Sequence, residues 1–312
     1  MAKKIIAVAG PTASGKTALA IEIAKRVAGE VVSCDSMQIY KGMDIGTAKP
    51  DMEERCGIPH HMIDIVDPSM RYSVADFTKD ARACIDDILS RDKVPVIAGG
   101  TGLYMDSVLL NIEFDEFEQD MEYRSKMQKY ADEWGNEALH NLLLEKDPEA
   151  AAKIHQNNVR RVIRALEVCH TTGKTFTQVN AESRRELVYD PLIFGIDADR
   201  QVLYERIDRR VDIMLEKGLL DEVRRLYESG LGRETTAMQA IGYKELFDFI
   251  EDKCTYDEAV EKIKQESRRY AKRQLTWFRR NELISWVRVD GPEGLEEVYK
   301  KCFTFLGKAP IL

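Results

Sequence analysis

The sequence predicts an α/β protein, a parallel sheet flanked by helices with a helical insertion between two of its strands. Three observations point there. Apolar runs ending in glycine or aspartate (Ile5–Ala9, "EVVSCD", "VPVIAGG") alternate with amphipathic stretches, giving strand, helix, strand, helix, strand. An uninterrupted run such as "VPVIAGG" suits a strand buried on both faces, as parallel strands are, and right-handed crossovers then wind the sheet. From Phe114 to His155 the chain changes character, with eleven acidic and five basic residues, helical periodicity and no convincing strand.

Taken in order, Ile5–Ala9 is a first strand. The helix that follows starts near Lys16 and places Leu19, Ile23, Ala24 and Val27 on one face. "EVVSCD" is a second strand, residues 75–91 a helix, and "VPVIAGG" a third strand. The insertion is assigned to residues 114–155, with a far boundary that could extend to about 182. Residues 1–113 and 156–312 are expected to form the core built on the sheet. "PLIFGID" (Pro191–Asp197) returns to the sheet. Long amphipathic helices are expected from about Arg200 to Glu228 and from about Tyr256 to Arg280, then a late edge strand, "LISWVRVD".

Between the first strand and its helix lies "GPTASGKT": Gly10, Pro11, Thr12, Ala13, Ser14, Gly15, Lys16 and Thr17. This is the Walker A pattern of a P-loop NTPase-like fold. Its glycines let backbone N–H groups turn inward around an anion. Lys16 adds a point charge, the helix N-terminus its dipole, and the Thr17 hydroxyl suits Mg²⁺. A strand before and a helix after make a chance match improbable. The loop specifies a di- or triphosphate, not a nucleotide as such.

Asp35 ends the second strand and should overlook the bound phosphate, because strand carboxyl ends share one rim in such sheets. Three roles stay open for it: capping a turn, holding Mg²⁺ as in a kinase, or acting as acceptor or base for an incoming nucleophile. "AGGTGLY" brings Gly99, Gly100, Thr101 and Gly102 to the same rim. There Thr101 either reaches a phosphate oxygen or its metal, or simply shapes a glycine-rich turn.

Composition narrows the classes further. The chain has 312 residues, 44% hydrophobic and 32% charged, with a formal net charge of -8. Six scattered cysteines without a Cys-x-x-Cys pair argue against zinc and disulfide frameworks and suit a reducing cytoplasm. The opening "MAKKIIAVAG" lacks a signal peptide's apolar core, and no run reaches membrane-span length, so a cytoplasmic protein is expected. Basic residues concentrate locally. "RRYAKRQLTWFRRN" (268–281) holds six Lys/Arg and no acid, with Tyr270, Trp277 and Phe278 interleaved. Arg269, Lys272, Arg273, Arg279 and Arg280 there suit an RNA backbone, or else form a solvated helix face over buried aromatics. "NNVRRVIR" buries Val159, Val162 and Ile163 and spares Arg160, Arg161 and Arg164. "RIDRR" offers Arg210 as a planar fork for phosphate. His60–His61, with no third ligand nearby, reads as turn or core rather than metal site.

Seven strings in order, "GPTASGKT", "SCDSMQIYKGMDIGTAKP", "GIPHHMIDIVDP", "AGGTGLY", "NNVRRVIRALEV", "AIGYKE" and "RRYAKRQLTWFRR", resemble the tRNA dimethylallyltransferases, the isopentenyl (IPP) transferase family. The resemblance spans Gly10 to about Arg280. It implies that the loop binds dimethylallyl diphosphate and that a five-carbon group passes to N6 of the adenine 3′ to the tRNA anticodon. It further implies catalytic roles for Asp35, Thr101 and Arg210, with Gly10–Thr17 on the diphosphate and Mg²⁺ on Thr17. It assigns tRNA contacts to Asp35, Ser36, Met37 and Gln38 and to Asn157, Asn158, Val159, Arg160 and Arg161. The basic helix, through Arg269, Lys272 and Arg273, is expected to grip the anticodon stem-loop, the insertion to clasp it, and Gln38 to read the flipped base. A monomer is expected. The rival readings are a P-loop kinase or ATPase, an adenylate isopentenyltransferase acting on free nucleotide, and an RNA-binding protein with a relic loop.

Overall fold

The computed structural model describes residues 3–112, 120–182, 186–288 and 292–307. Six strands run parallel in one sheet: β1 (Lys4–Ala9), β2 (Gly29–Ser33), β3 (His60–His61), β4 (Val94–Gly99), β5 (Asp190–Ile196) and β6 (Ile284–Val287), in the order β3-β2-β4-β1-β5-β6. The P-loop NTPase-like α/β architecture is therefore present, with β1 at its centre. The late strand lies at an edge as expected, and its tail, residues 289–290, falls outside the described residues. His60 and His61 form the opposite edge strand, a pairing with no local signature. There His61 Nε2 meets the Glu30 carboxylate at 2.8 Å.

Helix α1 (Lys16–Val27) buries Leu19, Ile23, Ala24 and Val27 against Ile6, Val8, Val31, Val96 and Phe194 of the sheet. The same core receives Val298 and Cys302 of α12 (Pro292–Leu306), a helix absent from the sequence-based expectation. Helix α2 (Val74–Ser90) starts in a capping box, Ser73 accepting from the Asp76 N–H while Asp76 accepts from Ser73, and packs with α3 (Gly102–Leu109). The expected long helix from Arg200 breaks into α8 (Arg200–Glu216) and α9 (Leu219–Glu228), because Gly218 takes a left-handed backbone at φ 97° between them. Helices α10 (Tyr243–Ile250) and α11 (Tyr256–Phe278) follow. Leu203 and Ile207 of α8 pack with Ala271 and Leu275 of α11 and with Ala13 of the phosphate loop. The two helices are thus seated on the loop they must serve.

The chain divides into two compact units, Met1–Leu109 with Leu187–Leu312, and Leu110–Glu186. The second unit contains α4 (Met121–Lys146, kinked at Gly135), α5 (Pro148–Lys153), α6 (Val159–Thr172) and α7 (Phe176–Glu182). Its core joins Met127, Leu139 and Leu143 to Ile154, Val162, Ile163 and Leu166. This unit runs past residue 155 and through the range up to about 182 that the sequence left open for the insertion's far boundary. The reason is that α6 supplies Val162, Ile163, Ala165 and Leu166 to that core, and its buried Glu167 takes salt bridges from Arg124 at 2.8 Å and Arg164 at 2.7 Å. Residues 156–186 therefore belong with α4 rather than with the sheet. The expected near edge, between 113 and 114, lies outside the described residues.

Candidate active site

Strand register assembles the site. Ala9 pairs with Gly99, and Ser33 with Ala98, so the residues just beyond (Gly10–Pro11, Asp35, Gly100–Thr101) leave the sheet along one rim. Gly10–Thr17 wraps from β1 into α1, with Ala13 and Gly15 at φ 61° and 87°. These left-handed residues turn the loop back on itself, the conformation that aims successive amides inward. The Ser14 hydroxyl is buried with no partner among the described residues. A polar atom in that state marks a place for a ligand.

Positive charge converges here. Burial, aided by Arg210, pulls the Lys16 ammonium down to about 8, with Asp35 acting in the opposite sense. Burial also lowers the Arg210 guanidinium against the pull of Asp35 and Glu54, yet an arginine so placed stays charged. Arg210 Nη1 makes a long contact, 3.5 Å, to Thr12 Oγ1. Two desolvated cations beside a glycine loop form a cradle built for an anion.

Asp35 is half-buried. Its Oδ1 accepts from the Met37 N–H at 2.9 Å and the Gln38 N–H at 3.4 Å, so the turn-capping role is real. Among the described residues none donates a hydrogen bond to Oδ2. Thr101 Oγ1 accepts from the Ser36 N–H at 3.3 Å, tying the β4 turn to the segment after β2. Asp35, Ser36, Thr101, Lys16, Thr12 and Arg210 thus meet in one place.

Other assigned residues behave differently. The Gln38 amide is engaged inside its own loop: Oε1 accepts from Ser33 Oγ at 3.0 Å, and Nε2 donates to the Thr47 and Ala48 carbonyls, both at 3.2 Å. It braces the loop and must exchange those bonds to read a base. Asn157, Asn158, Arg160 and Arg161 lie at the start of α6, all four exposed, while Val159 packs into the second unit's core. Arg269, Lys272 and Arg273 lie on α11, Arg269 paired with Glu266 and Arg273 lying over the Tyr270 ring at 5.6 Å. Of the interleaved aromatics Phe278 is buried, whereas Trp277 keeps 37% of its surface exposed. Trp277 Nε1 donates to Asp106 at 2.8 Å.

Sequence reasoning missed three contributors. Gln274 joins the phosphate loop to the β4 turn. Glu222 and Tyr243 hold the 44–46 segment: the Glu222 carboxylate accepts from the Asp44, Ile45 and Gly46 N–H groups at 2.8, 2.9 and 3.1 Å, and from the Tyr243 hydroxyl. The available signal was a polar residue on an otherwise apolar helical stripe: Gln274 among Ile263, Ala271 and Phe278, and Glu222 between Leu219 and Val223.

The family model described as IPP transferase matches residues 38–281. The tRNA dimethylallyltransferase of Bacillus velezensis is 52% identical over 96% of this chain and 95% of its own length. That of Bacillus subtilis is 50% identical over 97% and 96%. Among solved structures, the tRNA isopentenylpyrophosphate transferase of Bacillus halodurans superposes with a TM-score of 0.74 at 44% identity, covering 98% of this chain and 97% of that one. A eukaryotic dimethylallyltransferase described as acting on tRNA gives 0.83 at 31% identity, covering 99% and 81%. A phosphate loop, an aspartate and a threonine on one rim, and near full-length identity of about half to these enzymes have one reading: the chain belongs to the IPP transferase family.

Proposed function

We propose that this protein transfers a dimethylallyl group from dimethylallyl diphosphate to the exocyclic N6 amine of the adenine 3′ to the anticodon in tRNA, releasing diphosphate. The observation that carries the proposal is the meeting of Lys16 and Arg210 with Asp35 and Thr101 on one rim, in a chain about half identical to named tRNA dimethylallyltransferases. The adenine, stacked in its loop, flips into the cleft, at a cost lowest for an unpaired base. N6 attacks the allylic carbon as the carbon–oxygen bond breaks, and the electron pair leaves with the diphosphate. Lys16, Arg210 and the loop amides of Ser14–Thr17 stabilise the departing charge. Asp35 Oδ2 accepts the proton that N6 loses on becoming cationic. Thr101 holds Ser36, and with it the segment from Asp35 to Gln38, against the β4 turn.

The residues present fit Mg²⁺. The half-buried Thr17 hydroxyl opens α1, and no group of three His, Cys, Asp or Glu side chains exists among the described residues. A metal here would draw its remaining oxygens from diphosphate and water, as Mg²⁺ prefers. Held by Thr17, it would supply further positive charge to the leaving diphosphate.

The basic face of α11, with Asn157–Arg161 of the second unit, is assigned to the anticodon stem-loop. No helix among the described residues is long and apolar enough to cross a membrane. The enzyme is assigned to the cytoplasm, where its tRNA substrate resides, and it works as a monomer, since one chain supplies loop, base and cations. The deciding experiment incubates the protein with dimethylallyl diphosphate and unmodified tRNA, and separately with ATP. Mass spectrometry should find one five-carbon addition on adenine. ADP formation without prenylation would overturn the assignment in favour of a kinase or ATPase, and prenylated free nucleotide with untouched tRNA would favour an adenylate isopentenyltransferase.

A further inference from the structure

Gln274 is 5% exposed on the buried stripe of α11. A carboxamide on an apolar stripe is costly unless both of its ends are hydrogen-bonded. Here both ends reach across the site. Oε1 accepts from the Thr12 N–H at 2.9 Å, and Nε2 donates to the Gly100 carbonyl at 2.9 Å. Thr12 lies in the loop after β1, Gly100 in the turn after the adjacent strand β4. One side chain therefore ties the diphosphate cradle to the turn that carries Thr101. The fit is close: a Cβ on Gly100 would stand 2.2 Å from Gln274 Nε2, so glycine is what admits the amide. One helical turn earlier, Tyr270 is pushed up by burial and by Asp35, while its hydroxyl's contacts with Thr101 and Gln274 act against that shift. Lys272 and Arg273, next to Gln274 in the chain, are exposed.

We propose that Gln274 is a positioning residue for the transfer reaction. Its carboxamide clamps the Thr12 peptide to the Gly100 turn, fixes the spacing between phosphate loop and Thr101, and so sets diphosphate affinity from the helix that bears the basic strip. The clamp rests on the diphosphate reading of the loop. Only glutamine's shape and inventory serve: one acceptor for an N–H and one donor for a carbonyl, in a fixed plane. Ionised glutamate accepts but cannot donate, and methionine does neither.

The test uses the full chain and inorganic pyrophosphate with Mg²⁺, followed by calorimetry, beside binding of an anticodon stem-loop and prenyl transfer. Gln274→Met should weaken pyrophosphate binding and lower kcat by roughly tenfold to a hundredfold, the loss expected when buried partners are left unpaired. Stem-loop affinity should stay within about twofold, since the amide does not reach the exposed face. Gly100→Ala should act likewise, and the double variant should be no worse than either single one, because both break the same bridge. Gln274→Glu supplies a readout that loose packing would not move. Its neutral acid can make both bonds and its carboxylate only one; burial raises that carboxyl, while the Lys16 and Arg210 charges lower it. Lys16 and Arg210 across the loop, Asp35 at the end of β2 and the Tyr270 phenol are the charged and titratable groups around it. Pyrophosphate affinity of this variant, taken as a ratio to the native protein because burial lowers Lys16 to about 8, should therefore recover as pH falls through the range in which that carboxyl takes up a proton. Native pyrophosphate affinity in Gln274→Met, a ratio for Gln274→Glu flat with pH, or an equal loss of stem-loop binding would each overturn the clamp. Absence of prenyl transfer by the native protein would overturn the transferase reading instead, leaving the clamp to be judged by pyrophosphate binding.

Discussion

Asp35 uses one carboxylate oxygen to cap its own turn, and that separates two roles a single substitution would confuse. Asp35→Asn keeps an acceptor for the Met37 and Gln38 amides but removes the base. Prenyl transfer should fall by roughly 10² to 10⁴, the usual contribution of a general base, while tRNA affinity stays within a few fold. Native turnover of radiolabelled dimethylallyl diphosphate by that variant would remove Asp35 from the mechanism. Lys16 makes a second prediction. In the free site its pKa is lowered to about 8, by burial first and by Arg210 next. A bound diphosphate favours the charged ammonium and raises that value, so binding takes up a proton above pH 8. Once pyrophosphate's own protonation is subtracted, its affinity should be flat below about 8 and decline above it, with proton uptake read from calorimetry in buffers of different ionisation enthalpy. Folding follows the same sign logic. Between about 8 and the ordinary lysine value of 10.5 the unfolded chain holds more protons, so the free protein gains stability as pH rises through that window.

Helix α9 contributes through Glu222, a buried carboxylate on its inner face, and helix α10 through Tyr243. Together they hold residues 44–46, and the Gln38 amide in turn grips the Thr47 and Ala48 carbonyls just beyond. Glu222→Ala leaves three backbone N–H groups and a phenol without their acceptor. Urea denaturation should show a loss of about 2–4 kcal/mol, and KM for tRNA should rise as the Asp35–Gln38 segment loosens. An unchanged midpoint would mean that water replaces the carboxylate and that α9 does not brace the loop. Tyr243→Phe, which removes only one of the four donors, should cost about 1 kcal/mol.

The whole molecule carries a net charge of -8, so the proposed tRNA binding depends on local surface rather than overall attraction. Lys272 and Arg273 are exposed in a stretch of six cations without an acid. Replacing both with glutamate should weaken tRNA binding at least about tenfold and shallow the log–log salt dependence by about one unit for each phosphate no longer neutralised. Pyrophosphate affinity should hold within about twofold, since these side chains face solvent and not the loop that Gln274 touches. An unaltered salt slope would show that the strip is only a solvated face.

Local patterns made the phosphate loop, the strand runs, the amphipathic helices and the basic strip legible, because each is written in neighbouring residues whose spacing matches a strand or helix period. The Walker pattern also fixed which end of the sheet would hold the site, as the loop must leave β1 at its carboxyl end. Pairings across the chain were not legible. Thr12 and Gln274 are 262 positions apart, Gly46 and Glu222 176. The two-residue edge strand His60–His61, the engagement of Gln38, the burial of Phe278 and the reach of the second unit to Glu186 share that origin. A residue's type and period say that a side chain is polar on an apolar stripe. Only the packed fold, by bringing a donor and an acceptor to the same buried point, says what it holds.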